Sequence, residues 1–343
     1  MVPFIVRRSI GAVIVLFVVS VITFAIFIVV PGGDPATRMA GKNATDENIA
    51  NIRETWGFDE PFYVQYTTMM KKVFSGDLIS YTTQQDVLTE IKRGLPATIS
   101  LAVGAAIIWL FFGILVGVIS AVTAGRWSDR AITILALVGI SMPVFWLGIL
   151  LLIFFSLRLN MFPLIGISMP VFWLGIIARY YLGPENAGIF PDGQYVPLTE
   201  NPIQWFYHLL LPWVVLAILF IGFYGRVLRS NILDSINEDY VRTARAKGMP
   251  PRRVLIKHVL RNSMIPIVTL FALDFAAVLG GGAILTETVF DLNGVGQYAA
   301  RSVRALDLPP IMAVTLLGAF FIVTFNMIVD FMYAYLDPRI RPT

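Results

Sequence analysis

Asp274 is the residue of this sequence whose position most demands a chemical explanation, because it lies in the middle of a long apolar run. An ionised carboxylate at the centre of a bilayer costs at least about 2.5 kcal/mol. The side chain must therefore face other helices or water. Two roles are open: a binding group that lines a polar pathway, or a buried hydrogen bond between helices. Gly280, Gly281 and Gly282 follow on the same run, where they weaken the helix and leave room for a neighbour or a ligand.

Few other residues have the chemistry of a reactive site. The chain has no cysteine and only two histidines, His208 and His258, so disulfides, thiolate chemistry and a Cys/His zinc site are excluded. His208 adjoins the aromatic run 205–207, which favours a packing role over chemistry. No Walker A sequence occurs, so the chain does not bind a nucleotide in that way. We predict no catalytic residue, no metal site and no cofactor in this chain, which is therefore not an enzyme and must draw energy from a partner or a gradient.

The elements that position Asp274 are long apolar helices. A mean hydropathy of +0.75, with 57% hydrophobic and 14% charged residues, indicates an all-α integral membrane protein. Runs long enough to cross a hydrocarbon core of about 30 Å predict six spans. They lie at about 10–30, 96–123, 131–157, 207–229, 263–285 and 309–336.

The distribution of charge predicts the orientation of these spans. With six crossings, the basic loop 226–261 lies on the same side as Arg7, Arg8 and the C-terminus, and that side has a large excess of basic residues. The opposite side has an excess of acidic residues. Because basic residues favour the inner side, we expect both termini in the cytoplasm.

A repeated segment complicates the topology. Residues 139–149 and 166–176 are the same eleven residues, which indicates either a local duplication or an error in the sequence. The second copy makes 161–178 apolar enough to cross, but a seventh crossing would place the loop 226–261 outside. Pro163 and Pro170 also oppose a straight helix. We therefore predict that 161–182 starts and finishes on the outer side.

The polar stretch 235–266 contains its own helix signals. Ser235 and Glu238 have the spacing of a capping box, which predicts a helix that begins here. Gly248 can end that helix in the left-handed conformation, and the following prolines predict the start of a second one. Tyr240, Val241 and Ala244 fall at helical spacing on one face. The small Ala244 and Ala246 would let another protein approach the backbone.

These residues give the stretch a specific resemblance. Glu238, Ala244, Gly248 and the pair 265–266 resemble the signature cytoplasmic loop of binding-protein-dependent ABC importer permeases. The fuller run 238–248 is similar to the B-type subunit of the dipeptide/oligopeptide/nickel branch. An ordinary basic cytoplasmic loop is the alternative interpretation. The resemblance implies a coupling helix that docks into an ATPase subunit, with contacts from Glu238, Tyr240, Val241, Ala244, Ala246 and Gly248.

The resemblance also implies an architecture. We expect a type I ABC importer permease bundle of six transmembrane helices with a cytoplasmic coupling helix. Residues 1–95 would form the first transmembrane helix and an external segment, and residues 96–343 the core permease domain, with the coupling loop at 230–262. The expected location is the cell (inner) membrane of a bacterium or archaeon, crossed several times.

The function implied is that of a permease subunit in an ATP-driven importer of dipeptides or oligopeptides. The expected partners are a second, homologous permease, two ATPase subunits that bind ATP and Mg, an extracytoplasmic substrate-binding protein and the lipid bilayer, but no nucleic acid. Asp274 would then meet a peptide's amino group in the pathway, and Gly280, Gly281 and Gly282 would form a flexible outer gate. The alternatives are a same-branch importer of nickel or another small solute and, from other classes, a gradient-driven carrier or an intramembrane enzyme.

Overall fold

The structure, a computed structural model, describes residues 2–29, 36–37, 45–125, 170–184, 188–191 and 193–336. These residues are helical nearly throughout, and no β-strand occurs among them. The helices are α1 (Val2–Val29), α2 (Asp46–Trp56), α3 (Phe62–Ser75), α4 (Val87–Val122), α5 (Pro170–Leu182), α6 (Pro202–Ile236), α7 (Asp239–Ala246), α8 (Pro251–Gly282), α9 (Ile284–Val289), α10 (Val295–Ala305) and α11 (Leu308–Leu336).

Five of the helices in these ranges, α1, α4, α6, α8 and α11, are long and apolar enough to cross a membrane. The prediction of an all-α membrane protein is therefore confirmed. The predicted third span, 131–157, and the first copy of the repeat lie outside the described residues.

The chain forms two compact units. Unit 1 comprises Met1–Ile99, Ala276–Thr288 and Leu292–Thr343, and unit 2 comprises Ser100–Phe275 and Val289–Asp291. The functional division of the sequence at residues 95 and 96 stays a prediction.

Within unit 1, α1 and α11 run side by side in opposite directions. Arg8, near the start of α1, forms an ion pair with Asp330, near the end of α11. If the first and last spans are antiparallel, the chain crosses the membrane an even number of times, as the six-span prediction requires. Phe24 of α1 and Met312 of α11 both belong to the hydrophobic core of this unit.

The start of α4 differs from its prediction. The sequence predicts a span that begins at about residue 96, but one helix covers Val87–Val122 with Pro96 in its interior. Val87 and Ile91 are 0% and 7% exposed in the core of unit 1. Burial of these side chains offsets the hydrogen bond that the proline removes, so the helix continues through it.

In unit 2, glycines allow α4 and α6 to pack closely. A Cβ atom on Gly113 would lie 2.8 Å from Cβ of Tyr224, and one on Gly117 would lie 2.8 Å from Cβ of Leu228. A Cβ atom on Gly225 of α6 would likewise lie 2.8 Å from Cγ1 of Val116 in α4. Gly113 and Gly117 therefore form a small-residue contact face for α6.

The tightest of these contacts supports a stability prediction. A Cβ atom on Gly104 would lie 2.0 Å from Cε2 of Trp213, whose indole nitrogen donates to the carbonyl of Ser100 at 2.9 Å. Gly104→Ala should therefore displace this buried indole and cost about 1–3 kcal/mol. Gly222→Ala is the matched control, because a Cβ there meets nothing within 4 Å. Thermal unfolding in detergent should show a loss for the first variant alone, and equal unfolding temperatures would refute the contact.

The described part of the segment 161–182 is α5. The 13 described residues of α5 extend about 20 Å. Pro170 is the first described residue of α5. The carbonyl of Leu182 accepts from the backbone N–H groups of Ile189 and Phe190 at 3.1 and 2.9 Å, which holds the end of α5. Residues 161–169 lie outside the described ranges, so the topology of the segment stays a prediction.

Candidate functional site: the α7 loop and the polar residues of the spans

The start of α7 does not follow the predicted capping box. The helix begins at Asp239, and Glu238 is its N-cap in an extended conformation without a side-chain cap bond. Ser235 lies instead within α6, where its hydroxyl accepts from Ser263 Oγ of α8 at 3.2 Å. The prediction was wrong because α6 continues past Ser235 to Ile236, so the hydroxyl serves a contact between helices.

The predicted end of α7 at Gly248 is confirmed. Gly248 has φ of 75°, in the left-handed region. Its N–H donates to the carbonyl of Arg245 at 2.9 Å, and the N–H of Met249 donates to the carbonyl of Ala244 at 3.3 Å. These two bonds are those of a Schellman motif. α8 then starts at Pro251, as predicted.

α7 buries one face against its own chain. Val241 and Ala244 are 0% and 5% exposed, and α7 contacts the first turns of α8. Tyr240 is 37% exposed and does not share their burial. Ala244 is thus buried within this chain, and the approach of another protein to the backbone there stays a prediction. The exposed part of α7 and its C-cap consists of Asp239, Tyr240, Arg242, Thr243, Arg245, Ala246 and Lys247.

Asp274 lies in α8 and is held by α6. Its Oδ2 atom accepts from the hydroxyl of Tyr224 at 2.7 Å, and Tyr224 is 1% exposed. One of the two predicted roles, a hydrogen bond between helices, is therefore present. Asp274 itself is only partly buried, so this chain does not fully enclose the residue.

The glycine run adopts an irregular turn within unit 1. Val278–Gly282 forms a π-helical turn, and Gly281 has φ of 130°, a conformation that L side chains rarely adopt. A Cβ on Gly280 would lie 3.0 Å from Ile322 of α11, and one on Gly318 would lie 2.6 Å from the Gly280 carbonyl oxygen. The space that Gly280 clears is therefore used by α11. Whether Gly280, Gly281 and Gly282 line a pathway stays a prediction.

Sequence reasoning missed Glu287, a buried acid that accepts three hydrogen bonds. Glu287 of α9 is 0% exposed. Its Oε1 accepts from the Thr98 hydroxyl at 2.7 Å, its Oε2 accepts from the Gln297 N–H at 2.8 Å, and the Gly296 N–H also donates to it. Burial raises the pKa of Glu287, and these hydrogen bonds oppose that rise. The carboxylate thus fixes the first turn of α10 to the start of α4.

A second buried acid, Asp307, organises the residues that precede α4. It is 1% exposed at the start of α11. Its carboxylate accepts from Ser80 Oγ, the Tyr81 N–H and the Thr82 hydroxyl at 2.5, 2.9 and 2.7 Å. These donors are more than 200 residues away in the sequence, so no local spacing could have indicated the contact.

No group of three or more histidine, cysteine or acidic residues that could hold a metal occurs in the described ranges. Nδ1 of His208 lies 2.8 Å from the carbonyl oxygen of Gly193 and 3.0 Å from that of Gln194. This geometry supports the packing role predicted for His208.

The chain is similar to known transport-system membrane proteins over nearly its whole length. Residues 113–342 match the family model described as binding-protein-dependent transport system inner membrane component, and residues 1–102 match the model of the N-terminal part of such membrane components. The chain is 38% identical to the D,D-dipeptide transport system permease protein DdpB of Escherichia coli, over 97% of this chain and 96% of that protein. It is 34% identical to the dipeptide transport system permease protein DppB of Alkalihalophilus pseudofirmus, over 99% and 100%. It is also 34% identical to the di/tripeptide transport system permease protein DppB of Pseudomonas aeruginosa, over 99% of both chains.

Proposed function

This chain belongs to the family of binding-protein-dependent transport system inner membrane components, and we propose that it is the permease subunit of an ATP-driven importer of dipeptides or oligopeptides. The observation that carries this conclusion is its similarity, over nearly the full length of both chains, to permeases named for dipeptide and di/tripeptide transport. Long apolar helices provide the membrane-spanning part that such a role requires.

α7 is the element through which ATP hydrolysis would drive transport. It is a short helix between α6 and α8, with one face buried on its own chain and the other exposed and basic at Arg242 and Arg245. An isolated helix of 8 residues would be marginal in water, and contacts with α8 stabilise this one. A partner that moves the exposed face would therefore move α6 and α8 with it.

The complete importer contains partners that supply what this chain lacks. Two ATPase subunits bind ATP and Mg on the cytoplasmic side, where both termini of this chain and α7 lie. A second, homologous permease forms the other half of the pathway, and an extracytoplasmic binding protein delivers the substrate. ATP binding shifts the populations of inward-facing and outward-facing packing through α7. Tyr240, Ala246 and Gly248 are exposed, which supports their proposed contact with the ATPase.

A direct test is uptake by the purified complex, with all its subunits, in proteoliposomes of the cell membrane's lipids. We expect a radiolabelled dipeptide to accumulate in the vesicles only under two conditions. ATP must be present on the side of the membrane that carries the ATPase subunits, and the binding protein must be present on the opposite side. Accumulation of nickel without peptide would favour the alternative function, import of nickel or another small solute. Peptide uptake that needs an ion gradient and no ATP would refute the importer.

A further inference from the structure

We propose that Asp274, together with the aromatic rings around Tyr224, forms a subsite for a primary ammonium group of the transported peptide. The inference rests on the proposed function and adds to it a chemical preference of the pathway. Asp274 and the aromatic rings around Tyr224 all lie in unit 2, within Ser100–Phe275.

The carboxylate of Asp274 is only half satisfied. Oδ2 accepts from Tyr224 at 2.7 Å, a bond to a neutral group that leaves the charge uncompensated. In the part of the chain that the structure describes, neither a hydrogen bond to Oδ1 nor an ion pair to this side chain occurs. A charge within the membrane is expected to have a partner or a water-filled neighbourhood. A cation that arrives and departs with the substrate supplies such a partner.

The surroundings of Tyr224 form an aromatic wall, which we define as Trp109, Phe220, Tyr224 and Phe271. The rings of Trp109 and Phe220 stack with centroids 4.5 Å apart, and Trp109 lies 6.0 Å from Phe271. The Phe220 and Tyr224 centroids are 6.5 Å apart. Aromatic rings attract cations through the negative charge of their faces. Trp109 and Tyr224 are 0% and 1% exposed, so the partly buried Phe220 and Phe271 are the rings of the wall that a ligand could reach.

This chemistry fits an organic ammonium better than the other ions. A bound Ca²⁺ or Mg²⁺ would need several oxygen ligands, whereas the aromatic wall offers hydrocarbon faces. An anion would be repelled by the carboxylate. An ammonium gains both a charged hydrogen bond and contact with the rings. In a peptide it comes from the N-terminus, which is largely protonated near neutral pH, or from a lysine side chain.

Asp274→Asn is the most specific variant, because asparagine keeps an oxygen that can accept from Tyr224 while it removes the charge. Tyr224→Phe is the matched control, since it removes the hydrogen bond and keeps both the ring and the carboxylate. Uptake by the complete complex is measured per assembled transporter for two dipeptides that differ only in a lysine or a norleucine side chain. Basal ATPase activity and assembly report on structural damage.

We expect Asp274→Asn to lower uptake per assembled transporter about tenfold, the effect of losing one charged hydrogen bond. We expect Tyr224→Phe to have a smaller effect. A loss restricted to the lysine peptide identifies the side chain as the source of the ammonium, and an equal loss for both peptides identifies the N-terminus. Unchanged uptake, or a loss that parallels assembly and ATPase activity, would overturn the subsite. If the unaltered complex transports neither peptide with ATP, the proposed function itself fails.

Discussion

Gly248→Val should lower ATP-driven uptake about 5–30-fold, because a left-handed residue with a Cβ costs about 1–2 kcal/mol and the β-branch adds to that cost. A Cβ at this position meets nothing within 4 Å, so the effect comes from the backbone alone. Loss of the Schellman bonds changes the angle at which α7 leaves its last turn, and therefore the surface that α7 would present to the proposed ATPase subunit. The assembled complex should remain intact. Uptake and substrate-stimulated ATPase activity of purified complexes in proteoliposomes measure the effect.

The conservative replacement makes this test specific. Asparagine adopts the left-handed conformation more easily than other residues with a side chain, so Gly248→Asn should retain most of the uptake. Gly222→Ala, in an open position of α6, should behave as the unaltered protein. If valine and asparagine were equally harmful, side-chain contacts with a partner would explain the loss and the conformational argument would be wrong.

The end of α7 was predictable because its signals are local. A glycine followed by prolines is enough to end one helix and start the next, and the structure has Gly248 with positive φ and Pro251 at the start of α8. The contact face of α4 was predictable for a similar reason, since Gly113 and Gly117 are one helical turn apart. Such patterns require only the geometry of a single helix.

The starts of helices were predicted less well. Ser235 and Glu238 have the spacing of a capping box, but the long helix α6 passes through Ser235 and uses its hydroxyl on α8. Pro96 likewise reads as a first-turn proline, yet buried Val87 and Ile91 extend α4 before it. In both cases tertiary packing outweighs a local signal, and the packing partners cannot be read from the neighbouring sequence.

Glu287 was beyond prediction for a different reason. It lies between two threonines in a segment that reads as an ordinary loop, and its donor Thr98 is 189 residues away. The only local hint is the pair Gly294 and Gly296. A Cβ on either residue would lie 2.4 or 2.9 Å from Oε2 of Glu287, so glycine is required for the backbone to enclose the carboxylate.

Glu287→Leu should destabilise unit 1 by about 3 kcal/mol or more, since each buried donor left without an acceptor costs about 1–3 kcal/mol. Thr98, Gly296 and Gln297 all lose their acceptor, while leucine keeps the volume of the side chain filled. Gln should be intermediate, because one amide oxygen remains. Glu200→Leu, at an exposed position, is the control. In thermal unfolding of the purified protein, the unaltered chain and Glu200→Leu should have the highest unfolding temperatures. Glu287→Gln should follow, and Glu287→Leu should have the lowest. A leucine variant as stable as the control would exclude this role for the carboxylate.

The same carboxyl group should give unfolding a defined pH dependence. Burial raises the pKa of Glu287 above its ordinary value of 4.5, so the folded chain binds the proton more tightly than the unfolded chain does. Its contribution to stability is therefore complete below the unfolded pKa and is lost as the pH rises through the folded pKa. Glutamine does not titrate, so the difference in unfolding temperature between the unaltered protein and Glu287→Gln should be wider at about pH 5 than at about pH 8. If the difference in unfolding temperature instead widened with rising pH, the three hydrogen-bond donors would outweigh burial and hold the pKa of this carboxyl low.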